Sequence, residues 1–317
     1  VGFKPPVGLV SRTHIVPISH SQDTPGPMTL NVRDAALVMN AIAGTDPADP
    51  ATVEADSRRV DYAAGLSPDA LRGVRLGVLR FSAGFGTDAV FEEALAVLRA
   101  QGAELVEITE FPAAQRQEMG RNELTVLLNE LKHDMDVYLA TLPSQVRTRT
   151  LEQVIAFNRD HEAEEMPLFG QDLFERAQAS GGLDDSWRAA RETSLRLAGP
   201  EGIDRLLSEH NVVALVAPTR PAAWPIDAVH GDVSPGGGIA GSLAAVAGYP
   251  HLTVPMGQIR GLPVGISFIG PKWSDALILS LGYAYEQASN RRVEPRFFES
   301  IEASPEIAPH LRPSRDR

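Results

Sequence analysis

An α/β fold, with a mixed β-sheet flanked by helices, follows from three features of the sequence. Two strand-like runs, 74–81 (VRLGVLRF) and 103–109 (AELVEIT), are separated by one amphipathic helix-length segment, 88–101, which is the pattern of a βαβ unit with parallel strands and a right-handed crossover. Three further apolar runs, 212–217, 251–254 and 264–269, are strand-length and bounded by Pro or Gly, and the last two read as a hairpin-like return. Residues 113–211, between the two groups, carry helical spacing almost throughout. Alternation of this kind predicts one sheet with helices on both faces and a helical layer at 113–211, all in a single domain over 1–317.

The first fifty residues read as strand, long loop and helix. Val32, Ala35, Ala36, Val38, Met39, Ile42 and Ala43 recur at helical spacing, Thr29 or Asn31 can cap the start, and Gly44 suits a left-handed position after the end. In the loop, Ser19, Ser21, Gln22, Asp23 and Thr24 lie between Pro17 and Pro25-Gly26-Pro27, so short polar side chains sit on stiffened backbone. Such a loop either walls a site or bonds only to itself. The proline- and acid-rich stretch 45–64 reads as an exposed connection. Residues 84–89 (GFGTDA) match the dinucleotide fingerprint formally, but the last position is alanine and a plain capped helix explains the same residues.

Three apolar stripes divide the helical layer: Leu124 to Leu139, Leu151 to Asn158, and Trp187 to Leu197. His161 and Glu165 stand one helical turn apart, yet the second histidine of a zinc motif is missing, so an acidic solvated face is expected and no metal. Pro167, Phe169 and Gly170 break the helix where Phe169 can line a pocket or pack in the core. A long Pro/Gly loop, 220–238, holds Trp224 between Pro221 and Pro225. A small-residue helix at 239–247, an amphipathic helix at 275–288 and a charged, proline-bearing surface tail from Asn290 complete the chain.

Composition narrows the chemistry. The chain has no cysteine, which removes thiol catalysis, disulfides and cysteine-based zinc sites. A formal charge of -12 disfavours nucleic acid and anionic membrane as partners. No run approaches the roughly 18 apolar residues of a membrane span. No G-x-S-x-G elbow is present, and none of His14, His20, His230 and His251 has an acid at a telling spacing, although a Ser-His-Asp triad assembles in space rather than in sequence.

The string GFKPPVGLVSRTHIVPISHSQDTPGPM (2–28) is followed by NVRDAALVMNAIAGTDPADP, and later by LVAPT (215–219) and AAVAGYPHLTVPMGQIRGLPVGISFIG (244–270). Together these resemble the amidase signature enzymes over nearly the whole chain. Within that family SQDTPGPM, LFGQD (168–172), LAGPEGID (197–204) and AWPI (223–226) resemble the peptide amidase branch. The resemblance implies hydrolysis of peptide C-terminal amides or similar small carboxamides by a serine nucleophile, a second serine with a cis peptide bond and a lysine, without cofactor or metal. All three catalytic residues would lie upstream of the position matched by Val1, and Lys4 is not that lysine. The chain is therefore expected to be incomplete at its N-terminus, to carry no catalytic residue and to be inactive alone. Pro6 stands where threonine is usual and His14 where glycine is usual, which reshapes the loop beside the site.

On that reading Phe169 and Trp224 are expected to touch substrate, while Arg12, Asp23 and Thr24 support the wall, and Asp23 and Trp224 are expected in one cleft. The competing classes are a non-catalytic fragment or binding module, an A-subunit-like component of a tRNA-dependent amidotransferase, and a nucleotide-dependent oxidoreductase. Oligomeric state and compartment are left open.

Overall fold

The structure, a computed structural model, describes residues 1–227, 229–231, 233–297, 299–300 and 305–306. In chain order its elements are β1 (Gly2–Lys4), α1 (Val32–Ile42), α2 (Ala55–Arg58), β2 (Arg75–Leu79), α3 (Asp88–Ala100), β3 (Glu104–Ile108) and α4 (Ala113–Thr141). There follow α5 (Leu151–Asp160), α6 (Glu162–Glu165), α7 (Asp172–Gln178), α8 (Asp185–Ala198), α9 (Arg205–Glu209), β4 (Ala214–Pro218), α10 (Ala240–Ala247), β5 (His251–Ile259), β6 (Leu262–Ile269) and α11 (Asp275–Ser289). The strands form one sheet in the order β1-β5-β6-β4-β2-β3. Strand β2 pairs parallel with β3 and β4, whereas the β4–β6, β6–β5 and β5–β1 pairs are antiparallel. All five expected strands thus lie in one mixed sheet, to which the opening segment adds β1.

Strand alternation sorts the core onto two faces. Leu76, Val78, Ala214, Val216, Leu252 and Phe268 meet Met39 of α1, Phe91 of α3 and Ile278 of α11 on one face. Leu79, Leu215, Ala217 and Ile269 meet Leu197 of α8, Leu206 of α9 and Leu243 of α10 on the other. A third cluster, Leu131, Met135, Leu139, Leu151, Ile155 and Ala177, binds α4, α5 and α7 together away from the sheet.

Several local expectations are corrected. Strand β5 continues past Pro255 to Ile259 because the proline sits at a β-bulge, where the ladder makes no demand on its missing N–H. Asn31, not Thr29, caps α1, its side chain accepting from the Asp34 N–H at 2.8 Å. Gly44 is not left-handed helical (φ 157°), because Ala43 leaves the helix extended to bridge Val10. The 45–64 connection is not simply exposed: Asp49, Thr52, Ala55 and Tyr62 are buried in it. On α4 Leu124 faces solvent while Asn129 and Glu130 are buried, so the inward stripe is partly polar. Asp88 turns back to accept the Gly84 N–H at 3.1 Å, and Glu104 and Glu107 pair with Arg75 and Arg80. The tail expected on the surface runs largely into residues outside the described set. Among the described residues no helix is long and apolar enough to cross a membrane.

Candidate functional site

The loop between β1 and α1 is held from three directions. Arg12 reaches the buried carboxylate of Asp49, its Nε donating at 2.8 Å and its backbone N–H at 2.9 Å, and it also donates to the His20 carbonyl. Farther along, Glu130 of α4, wholly buried, accepts the Ser21 N–H at 3.1 Å, the Ser21 hydroxyl at 2.9 Å, the Ser19 hydroxyl and the Trp187 indole N–H at 3.0 Å. Asp134, one helical turn on, takes the His20 N–H at 2.7 Å and holds the ring through Nδ1 at 2.9 Å. These contacts raise the His20 pKa, the Asp134 bond being the main cause. Within the loop, Asp23 Oδ2 accepts the N–H groups of Ile18 and Ser19, both at 2.8 Å. Burial pushes the Asp23 carboxyl up. His20, Glu130 and Asp134 have ligand-type atoms within 4.8 Å of one another. Their oxygens are already engaged by hydroxyl, amide, indole and imidazole donors, so hydrogen bonding accounts for the cluster.

The far end of the loop faces the sheet. Gly26 packs so tightly on β1 that a Cβ there would collide with the Phe3 carbonyl oxygen. A 320 Å³ cavity opens beside it, lined by Lys4, Thr24, Met28, His251 and Thr253 among others. Behind this cavity a chain of side chains crosses three strands: His251 Nε2 lies 2.6 Å from Ser267 Oγ, which is 2.9 Å from Thr219 Oγ1, itself 2.7 Å from Thr253 Oγ1. Gly265 makes room for it, since a Cβ there would sit 2.5 Å from Thr253 Oγ1. Burial, with the Lys4 charge adding to it, pushes the His251 pKa down to about 4. Lys4 is itself lowered to about 8 by burial, and burial lifts Asp275 at the start of α11 to about 7.

The His251–Ser267 contact has the distance of a base–nucleophile pair. Ser267 is nevertheless 1% exposed, and among the described residues no carboxylate bonds to His251. A neutral imidazole that donates to Ser267 starts a one-way relay, Ser267 to Thr219 to Thr253, which satisfies each hydroxyl and leaves the last proton at the cavity wall. Among the described residues His230 bonds to its neighbour Asp227, at the exposed surface.

The expected site residues fall in different places. Arg12 and Asp23 line one cavity of 580 Å³ with His14, His20, Asp134 and Tyr138. Thr24 lines the smaller cavity on β1, and among the described residues its buried hydroxyl has no hydrogen-bond partner. Phe169 is exposed, at the break between α6 and α7, on a 460 Å³ depression with Arg159, Met166 and Gln171. Trp224 is half-buried in the 219–239 loop and is not among the residues lining these three cavities. Glu130, Asp49, Trp187 and the Thr219–Thr253–Ser267 hydroxyls escape sequence reasoning. The available signal is hydroxyl residues on two neighbouring strands and just past the end of a third, where an apolar core prefers none.

Comparison with known proteins agrees with this architecture. The family model described as Amidase matches residues 1–279. A crystal structure of a peptide amidase bound to the competitive inhibitor chymostatin superposes with a TM-score of 0.87 at 47% identity, covering 94% of this chain and 60% of that one. The native peptide amidase of Stenotrophomonas maltophilia gives 0.85 at 46%, covering 93% and 59%. Among curated proteins, a probable amidase of Arabidopsis thaliana is 32% identical over 303 residues, 94% of this chain and 54% of that protein. The glutamyl-tRNA(Gln) amidotransferase A-subunit of Chloroflexus aggregans is 30% identical, covering 91% and 59%. The chain therefore spans between half and two thirds of the length of these relatives. With the family model matched over most of its length and the sheet, helices and loop described above, this chain belongs to the amidase signature family.

Proposed function

We propose that this chain forms the substrate walls and supporting half of an amide hydrolase for peptide C-terminal amides or similar small carboxamides. The nucleophilic serine, the cis serine and the lysine come from a segment preceding Val1. The observation that carries this reading is the 47% identity, at a TM-score of 0.87, with a peptide amidase of which this chain matches only 60%. Amide hydrolysis by that route needs an activated serine to form an acyl-enzyme, a proton for the departing ammonia and donors for the oxyanion. Here the loop fixed by Arg12, Asp23 and Glu130 supplies a rigid wall, and Thr24, Lys4 and Thr253 give a polar face beside β1. Phe169 and Trp224 are assigned to substrate contact, Arg12, Asp23 and Thr24 to support of the wall, and no cofactor or metal is required.

Ammonia release from an amidated peptide tests the assignment, using Val1–Arg317 with and without the preceding segment. Turnover is expected only with that segment, because losing one member of a catalytic unit costs about as much as losing all of it. Serine-inhibitor-sensitive turnover by Val1–Arg317 alone would place a nucleophile within this chain and overturn the division of labour. A second reading, an A-subunit-like component of a tRNA-dependent amidotransferase, draws on the 30% identity with a protein of that kind. It predicts that amide hydrolysis depends on partner proteins, which the same assay separates.

A further inference from the structure

The 580 Å³ cavity on the outer side of the loop is not accounted for by amide hydrolysis. It is walled by apolar and aromatic side chains, Ile15, Pro17, Val137, Tyr138 and Leu183, and its size is that of a small-molecule pocket. Its ionisable lining is three carboxylates, Asp23, Asp49 and Asp134, against one guanidinium, Arg12, and the imidazoles of His14, His20 and His133. Two of the acids are engaged: Asp49 by Arg12, and Asp134 by the backbone and ring of His20. Asp23 differs. Its Oδ2 takes both loop N–H groups, and among the described residues no hydrogen bond reaches Oδ1. Oδ1 is therefore a free acceptor in the cavity wall, and Arg12, the cation that acts on Asp23, is already bonded to Asp49.

His14 adds an independent sign. It lines the same cavity and holds a left-handed backbone, φ 66°, a conformation that costs nothing for glycine and is strained for other residues. The strain places an imidazole at the rim of the pocket where a glycine would have sufficed for the turn.

We infer that this cavity binds a small organic ammonium ion with an aromatic or aliphatic body, Asp23 Oδ1 serving as counter-ion and the His14 imidazole closing the rim. The apolar body lies against Val137, Leu183 and the Tyr138 ring, whose face also favours a cation. The inference does not rest on the proposed hydrolase activity, and its test reads binding alone.

The probe is phenethylammonium, titrated calorimetrically into the protein at about pH 8. The neutral isostere 2-phenylethanol and the anion 3-phenylpropionate serve as controls. Binding of the ammonium at millimolar concentration or tighter, at least about ten-fold tighter than the alcohol, supports the site. Asp23→Asn keeps an oxygen for the Ile18 and Ser19 N–H groups but presents an amide to the guest, and should weaken the ammonium about ten-fold or more while leaving thermal unfolding nearly unchanged. His14→Gly should unfold at the same or a higher temperature and bind several-fold more weakly. Equal affinity for alcohol and ammonium, no binding at all, or full affinity in Asp23→Asn would overturn the proposal. Undiminished affinity in His14→Gly would remove the rim assignment.

Discussion

Glu130 Oε1 accepts the indole N–H of Trp187 at 3.0 Å while Oε2 holds the N–H and hydroxyl of Ser21, so one carboxylate without solvent exposure joins α4, α8 and the β1–α1 loop. All of these bonds end on one buried side chain, and Ser21 and Trp187 are themselves half-buried. Glu130→Gln keeps the shape but replaces one acceptor by an NH2 donor facing N–H or O–H groups. It is expected to cost about 3 kcal/mol of unfolding free energy, and Trp187→Phe about half of that, measured by urea denaturation. A loss below about 0.5 kcal/mol in Glu130→Gln would mean that the loop is held by other contacts.

The Arg12–Asp49 pair anchors the other end of the same loop. The Arg12 hydrogen bond is the main reason the Asp49 carboxyl lies below its ordinary value of 3.8. The folded state therefore holds this proton less tightly than the unfolded one. The pair's contribution is fully present above pH 3.8 and lost as pH falls through the lower folded value. Asp49→Asn should destabilise by about 2 kcal/mol at pH 7, with the difference from wild type shrinking below pH 3.8. A difference independent of pH would show that shape, not charge, is what Asp49 supplies.

How legible this is in the sequence depends on where the determining partner lies. The βαβ unit, the hairpin and α11 are readable because their signals, apolar alternation and helical spacing, are local. Strand β5 reads as ending at Val254 because Pro255 looks like a stop, and only the pairing with β6 reveals the bulge that tolerates it. Glu130 is unreadable: a glutamate in an apolar stripe is normally solvated, and its burial is decided by Ser19 and Ser21, more than a hundred residues earlier. Arg12 and Asp23 stand out through proline-framed polarity, and the structure gives each a bonding role. The separate cavities of Thr24 and Phe169 reflect folding paths that no spacing in the chain encodes.

Asp275 is 3% exposed, among the described residues its Oδ1 has no hydrogen-bond partner, and its own backbone N–H and the Lys4 charge favour its ionised form. Burial lifts its folded value to about 7 from an ordinary 3.8, so the folded state binds the proton more tightly. Stability from this group is complete below 3.8 and falls as pH rises through about 7. Asp275→Asn, which cannot ionise, should match wild type near pH 4 and exceed it by about 2–4 kcal/mol at pH 8. Lys4 works in the opposite sense, lowered to about 8 from 10.5, so its penalty lifts as pH rises across that interval. An Asp275→Asn variant less stable than wild type at pH 8 would show that the Lys4–Asp275 attraction outweighs the burial cost.

Trp224 sits half-buried between Pro221 and Pro225 in the long segment joining β4 to α10, and its assignment to substrate contact makes a kinetic prediction. Two prolines restrict the backbone, so the indole is presented without a large ordering cost on binding. A wall that touches the remote part of a peptide amide, away from the reacting carbonyl, binds ground state and transition state alike. Removing it raises KM and leaves kcat nearly unchanged. On the proposed function, Trp224→Ala in an enzyme completed by the proposed preceding segment should therefore raise KM roughly ten-fold, the worth of one aromatic contact, with kcat changed less than about two-fold. The series is best read with amidated substrates of increasing length, since the effect should vanish for a substrate too short to reach the indole. A fall in kcat at constant KM would move Trp224 from binding to positioning of the reacting group, and no change in either would remove it from the site.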